Sequence, residues 1–195
     1  MRYDGQKLEW PPFGNFNASS GKAIEIGLGD TYQKPEYEHL QDHGPIPEGE
    51  YLVPLKLGTA QLNKHGQVEP AADFVIEELP TGVPIPESTP HPITGKPRVV
   101  AEFPAWGSRR VKLKVKKIKN PKASKRFGFY IHDSTKGETA GCIEVDGAFF
   151  THLLDEAKKA TPGTFILLTV DYTKLRQSGG KTNGLTKGRP AAPVP

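Results

Sequence analysis

Cys142 is the only cysteine among 195 residues, and His132 stands ten positions before it in FGFYIHDSTKGETAGCIEVD. A thiol becomes a useful nucleophile when its thiolate is stabilised and a base is near enough to take the proton. With no second cysteine there is no internal disulfide, so Cys142 serves packing, metal ligation or reactivity. It follows Gly141, which lets the backbone turn tightly and approach a substrate. In T-A-G-C the amides of Ala140, Gly141 and Cys142 are candidates to converge on an oxyanion. Asp133, directly after the histidine, is a candidate to orient the imidazole. Successive residues of a strand point to opposite faces, so its backbone carbonyl is the expected partner rather than its carboxylate. Taken alone, the pair also reads as a structural cysteine at the edge of a core, near an unrelated histidine.

The elements that must position this pair are short. The chain holds 21 Gly and 19 Pro, which favours many tight turns and a mainly β fold over a helical bundle. YDGQKLEW turns at Asp4-Gly5 into a strand, and FGNFNASSG (13–21) reads as a second strand ending at a Ser-Ser-Gly turn. Residues 22–43 read as an irregular insertion with one helical turn from Glu36 to His43. GPIPEGEYLVPL (44–55) is a turn feeding a strand, and ADFVIEEL (72–79) is another strand. Residues 81–97 are too proline-rich for regular structure, and 98–106 read as a strand or edge segment. VKLKVKKIK (111–119) alternates apolar and basic residues, the period of one half-buried strand. FGFYIHD ends at the histidine. After Cys142, Asp146 is placed to N-cap a helix over 147–160 with Phe150, Leu153, Leu154 and Ala157 on one side. TPGTFILLTVDY (161–172) reads as a buried strand. One domain over 1–173 is expected, with 174–195, rich in Gly, Lys, Pro and Ala, a disordered or linker tail.

The net charge is +4, and basic residues crowd 109–126. Lys112, Lys114 and Lys116 are expected on one face of one strand, with no aromatic platform among them. That reads as a solvated face, attractive to an anionic cell wall at most, and not as a nucleic-acid interface. Arg126 and Lys136 flank the candidate site and are placed to bind a carboxylate, and Tyr130 shares the strand face of His132. His39 and His43 are spaced i, i+4, but Leu40 stands where a metalloprotease carries Glu, so no metal site and no cofactor are expected. No stretch reaches the length of a membrane span, and MRYDGQKLEW lacks an apolar signal-peptide core. Synthesis in the cytoplasm without a signal peptide is expected, with no membrane insertion.

T-A-G-C-I, after a strand ending in F-x-x-x-H, resembles the signature of L,D-transpeptidase (YkuD-type) catalytic domains. That signature is a His, a variable loop, then Ser or Thr, His, Gly, Cys and an apolar residue. The Ser19-Ser20-Gly21 turn and the G-P-I-P-E-G-E-Y turn (44–51) match two further family turns in order. The opening Y-D-G-x-x-L-x-W is similar to a divergent branch of antibacterial effectors delivered by the type VI secretion system. Two residues depart from the family: Ala140 replaces the motif histidine, and Glu144 stands where Arg or Asn is common.

The resemblance implies an L,D-transpeptidase-like β-sandwich or barrel with one helix packed after the catalytic cysteine. It implies a Cys142 nucleophile, with His132 as base then acid, acting on peptidoglycan tetrapeptide stems. Thr139, Tyr130, Arg126 and Lys136 are then substrate-binding candidates. The terminal D-alanine is removed (L,D-carboxypeptidase), exchanged for a free D-amino acid, or replaced by a second stem. Implied partners are a secretion-machine component and a cognate immunity protein, with action in the target cell's periplasm. Two other classes stay open: another cysteine cell-wall hydrolase, such as an amidase or endopeptidase, and a non-catalytic wall-binding module.

Overall fold

The computed structural model describes residues 1–27, 30–69, 72–81, 90, 92–97, 99 and 103–172. The expected tail (174–195), most of the proline-rich 81–97 and part of 98–106 lie outside them. The strands in chain order are β1 (Arg2–Tyr3), β2 (Lys7–Trp10), β3 (Gly14–Ser19), β4 (Glu25–Gly27), β5 (Asp30–Thr31), β6 (Gly49–Pro54), β7 (Leu57–Thr59) and β8 (Gln61–Leu62). They continue with β9 (Val68–Glu69), β10 (Ile76–Glu78), β11 (Arg109–Lys112), β12 (Lys114–Ile118), β13 (Tyr130–His132), β14 (Ile143–Val145) and β15 (Phe165–Val170). The α-helix α1 (Ala148–Lys159) falls between the last two strands, and short 3-10 turns occupy Pro35–Tyr37 and Pro121–Ala123. The fold is mainly β, with this one α-helix among the described residues. That helix is too short and polar to cross a membrane.

Eleven strands form one mixed sheet in the order β12-β6-β15-β1-β2-β3-β14-β13-β11-β10-β7. The sheet changes direction where β3 changes partner: Gly14 to Asn17 pair with β2, and Ala18 and Ser19 pair with β14. A second crossing lies at Leu113, which overturns the single strand expected over 111–119. β11 pairs with β10 and β13, whereas β12 pairs with β6 in the other half. Alternation therefore holds through Val111 and Leu113, both buried, and fails at Val115, which is exposed on an edge strand. One hydrophobic cluster joins Tyr3, Tyr51 and Leu168 of the first half to Val111, Ile131 and Ile143 of the second, and α1 closes it with Phe149, Phe150 and Leu153. Each such side chain contributes about 1.5–3 kcal/mol on burial.

Four local expectations change. Asp146 does not cap the helix: its carboxylate accepts from the backbone N–H and Nδ2 of Asn17, and Gly147 takes the N-cap without a side-chain bond. Buried Phe149 joins the apolar face of α1, while Leu154 is only half-buried. β15 is half-buried rather than buried, with Leu168 and Val170 inside and Phe165 and Leu167 exposed. The helical turn near His39 stops at Tyr37, so His39 and His43 share no helix face. Their Nδ1 atoms lie 3.0 Å from Glu36 O and 3.1 Å from Gln41 O.

Candidate active site

Register alone sorts the second half of the sheet into two faces. On one, Ile76, Val111, Ile131 and Ile143 stand side by side across β10, β11, β13 and β14, all buried in the core. On the other, one residue along, Glu77, Arg110, His132, Glu144 and Ser19 form a row across five strands. Every member of this polar row is also buried, His132 at 2 % exposure. Cys142 immediately precedes β14, next to the Ile143 that pairs with Ile131 on the adjacent parallel strand. The cysteine therefore lies at the β13–β14 seam, and β13 ends at the histidine.

The polar face is roofed by loops. Cys142 is half-buried. Its thiol points at Gly128 O, 3.9 Å away, and the Tyr130 backbone N–H donates to the sulfur. Burial pushes the thiol up to about 11, against the Tyr130 N–H and the charges of Arg126, Lys136 and Arg110. Burial likewise pushes His132 down to about 3, helped by Lys136 and Arg110 and opposed by Asp133. The resting pair is thus a neutral thiol and a neutral imidazole. His132 Nδ1 is buried without a hydrogen-bond partner, and the ring is held instead by the edge of Trp106, 5.5 Å between centroids.

Asp133 does not orient the histidine. Its carboxylate accepts from Ser108 N at 2.7 Å, Ser108 Oγ at 2.8 Å, Arg109 N at 2.8 Å and Arg109 Nε at 2.9 Å. Those four bonds fill a carboxylate's acceptor capacity. Its backbone carbonyl does not serve either, since Nδ1 is unpartnered. Asp133 anchors the loop that carries Trp106, and Gly107 (φ +77°) lies so close that a Cβ there would collide with it.

Thr139 is equally committed. Its hydroxyl donates to Cys142 O at 2.6 Å and accepts from Gly141 N at 3.1 Å and Gly21 N at 3.2 Å. One donor and two lone pairs are a hydroxyl's whole capacity, so none is left for a substrate. The Gly141 amide is thereby removed from the oxyanion candidates, which leaves those of Ala140 and Cys142. Thr139 N donates to Gly21 O at 3.0 Å, tying the T-A-G-C loop to the Ser-Ser-Gly turn. Ser20 Oγ in turn accepts from Ile46 N at 2.8 Å. The three turns singled out in the sequence therefore meet in one place.

Arg126 is not a free carboxylate binder. It is buried, its Nη1 donates to Glu38 O and to Pro45 O (2.6 Å), and its Nη2 donates to Gly44 O at 3.1 Å. Lys136 is exposed; its backbone N–H holds Glu144. Tyr130 is half-buried against Trp106, at 5.0 Å between rings, and burial raises its phenol.

Sequence reasoning missed Trp106 and the Arg110–Glu77 pair that supports it. Arg110 Nε lies 2.6 Å from Glu77 Oε2, and the guanidinium stands 4.7 Å over the indole. The one available signal was an aromatic in a proline-led, glycine-ended turn, P-A-W-G. It also missed that Glu144 accepts from Ser134 Oγ, Lys136 N and Gly137 N, shaping the His–Cys loop. A cleft of about 180 Å³ lined by Phe103, Pro104, Ser108, Asp133 and Thr135 opens beside the start of that loop, without including the thiol. Among the described residues no group of three or more His, Cys, Asp or Glu could hold a metal ion. Compared with protein-family models and with curated proteins, the chain matches none.

Proposed function

We propose that the protein is a cysteine acyltransferase of the L,D-transpeptidase type that acts on peptidoglycan tetrapeptide stems. The observation that carries this reading is the position of Cys142 directly before β14, with its sulfur accepting from the backbone N–H of Tyr130 on β13, the parallel neighbour that ends at His132. The meeting of the Ser-Ser-Gly, Gly-Pro and T-A-G-C turns at the cysteine supports the L,D-transpeptidase-like scaffold in particular.

In this reading the Cys142 sulfur attacks the carbonyl carbon that joins the third stem residue to the terminal D-alanine. Because both groups rest neutral, His132 takes the thiol proton as the S–C bond forms. The developing oxyanion faces the amides of Ala140 and Cys142. The C–N bond then breaks, and the proton on His132 passes to the departing D-alanine amine. Water, a free D-amino acid or the amine of a second stem attacks the thioester, and the thiol is regenerated. Thr139 and Arg126 hold the loop in this scheme, and Lys136 and Tyr130 remain the residues able to meet substrate. Delivery by a type VI secretion machine, action in a rival's periplasm and a cognate immunity protein belong to the same proposal by family analogy.

The test is incubation with purified tetrapeptide muropeptides followed by mass spectrometry. The expected outcome is loss or exchange of one alanine by the wild type and none by Cys142→Ala. Cleavage at another bond would instead assign an amidase or endopeptidase. Unchanged muropeptides with retained binding to sacculi would assign a wall-binding module.

A further inference from the structure

Arg126 is a buried cation with no ion pair at bonding distance among the described residues; the Asp42 carboxylate acts on it only through space. It is 5 % exposed, and its three hydrogen bonds run to main-chain carbonyls of Glu38, Gly44 and Pro45. The arginines of β11 are each paired, Arg109 with Asp133 and Arg110 with Glu77. Arg126 has no such partner among the described residues, and its Nε is buried without any acceptor. Carbonyl dipoles repay only part of the cost of removing a full charge from water. The guanidinium abuts the peptide that carries the nucleophile: Gly141 has φ +116°, and a Cβ there would collide with Arg126 Nη2 and stand 3.3 Å from Gly44 O.

We infer that Arg126 is the positioning residue that supplies the counter-charge of the Cys142 thiolate. The inference rests on the reading of Cys142 as a nucleophile, though not on the identity of its substrate. The other groups facing the two side chains do not supply that charge from a fixed buried position. On the thiol side stand the Tyr130 N–H, Lys136, which is exposed, Arg110, which Glu77 neutralises, and His132, which is neutral. Around Arg126 stand the Phe129 ring, 5.4 Å from the guanidinium carbon, with Tyr51, Tyr172 and Asp42. Burial raises the Tyr51 phenol well above its ordinary range, so it stays neutral and adds no anion. When the thiol gives its proton to solvent base, the thiolate becomes the one anion formed at the loop that Arg126 supports.

The test is alkylation of the full chain by iodoacetamide and by iodoacetate, which are similar in size and differ in charge. Each forms an S–C bond, expels iodide and releases the thiol proton to buffer. Cys142 is the only cysteine, so every thiol adduct reports on it. The iodoacetate-to-iodoacetamide rate ratio is expected to exceed that of glutathione several-fold, and to persist in Lys136→Gln. In Arg126→Met the excess is expected to vanish and the pH of half-maximal alkylation to rise by about one unit, a tenfold slower reaction below it. Arg126→Lys keeps the charge and is expected to keep most of both effects.

A wild-type ratio equal to that of glutathione, or one abolished by Lys136→Gln, overturns the inference. So does identical behaviour of the Lys and Met variants, because the carbonyl-binding fork alone would then matter. Circular dichroism checks each fold, and if Arg126→Met unfolds, the wild type and Lys136→Gln decide. Charge-selective alkylation with untouched muropeptides would leave this inference standing and remove the substrate assignment. Muropeptide turnover by Cys142→Ala would remove the nucleophile and this inference with it.

Discussion

Glu144 is a carboxylate of the buried polar row, and at the residue scale its surroundings explain its place there. Its carboxylate is fully buried and receives Ser134 Oγ, Lys136 N and Gly137 N at 2.7 Å, so it closes the loop between histidine and cysteine from beneath. A carboxylate in that position organises backbone, while a cation there would meet the same N–H groups as repulsion. Glu144→Ala strands three donors in a buried site and should cost about 3 kcal/mol or more, read as a lower urea midpoint. Glu144→Gln, which keeps the shape and one carbonyl acceptor, should lose less.

At the scale of elements, the loop from Phe103 to Arg109 is the roof of the polar face. It has two internal bonds from Trp106 N and Gly107 N to Phe103 O, each 2.8 Å, and its main attachment is Asp133. Asp133→Ala therefore should free the loop: stability falls by about 2–4 kcal/mol, and the Trp106 emission shifts toward that of solvent-exposed indole. Trp106→Phe supplies the reference for that emission, since Trp10 is the other tryptophan. A catalytic orienter of His132 would behave differently, losing activity with stability and fluorescence unchanged.

The whole molecule carries the pH signature of its two neutralised groups. His132 titrates near 3 when folded and near 6.5 when unfolded, so the unfolded chain binds the extra proton between those values. That contribution to stability is present above about pH 6.5 and is lost as pH falls toward 3, at most about 1.4 kcal/mol per pH unit. His132→Gln should flatten this part of the acid limb in equilibrium unfolding. Cys142 works at the other end. Its thiol is held near 11 against an ordinary 9, so its contribution is lost as pH rises from about 9 to 11, and Cys142→Ala should remove that limb.

Most turns and element ends, which depend on neighbours in the chain, were readable from the sequence. The turns at Gly5, Gly21 and Gly141 take positive φ, the strand ends at His132, and α1 begins after Asp146. The thiol and imidazole were visible for the same reason, since they stand ten residues apart with a glycine-led turn before the cysteine. Side-chain employment was not readable, because a polar group's capacity is filled by whichever partner the fold brings to it. Asp133 meets Ser108, 25 residues away, Arg126 meets Glu38, 88 away, and Thr139 meets Gly21, 118 away. The break at Leu113 is hidden likewise: an unbroken period of two continues through a point where only the closing sheet decides which strand comes alongside. Local periodicity thus determined most of the elements and singled out Cys142 and His132. Tertiary contacts across 25 to 118 residues decided which neighbouring side chains hold the loop and which keep unused polar capacity.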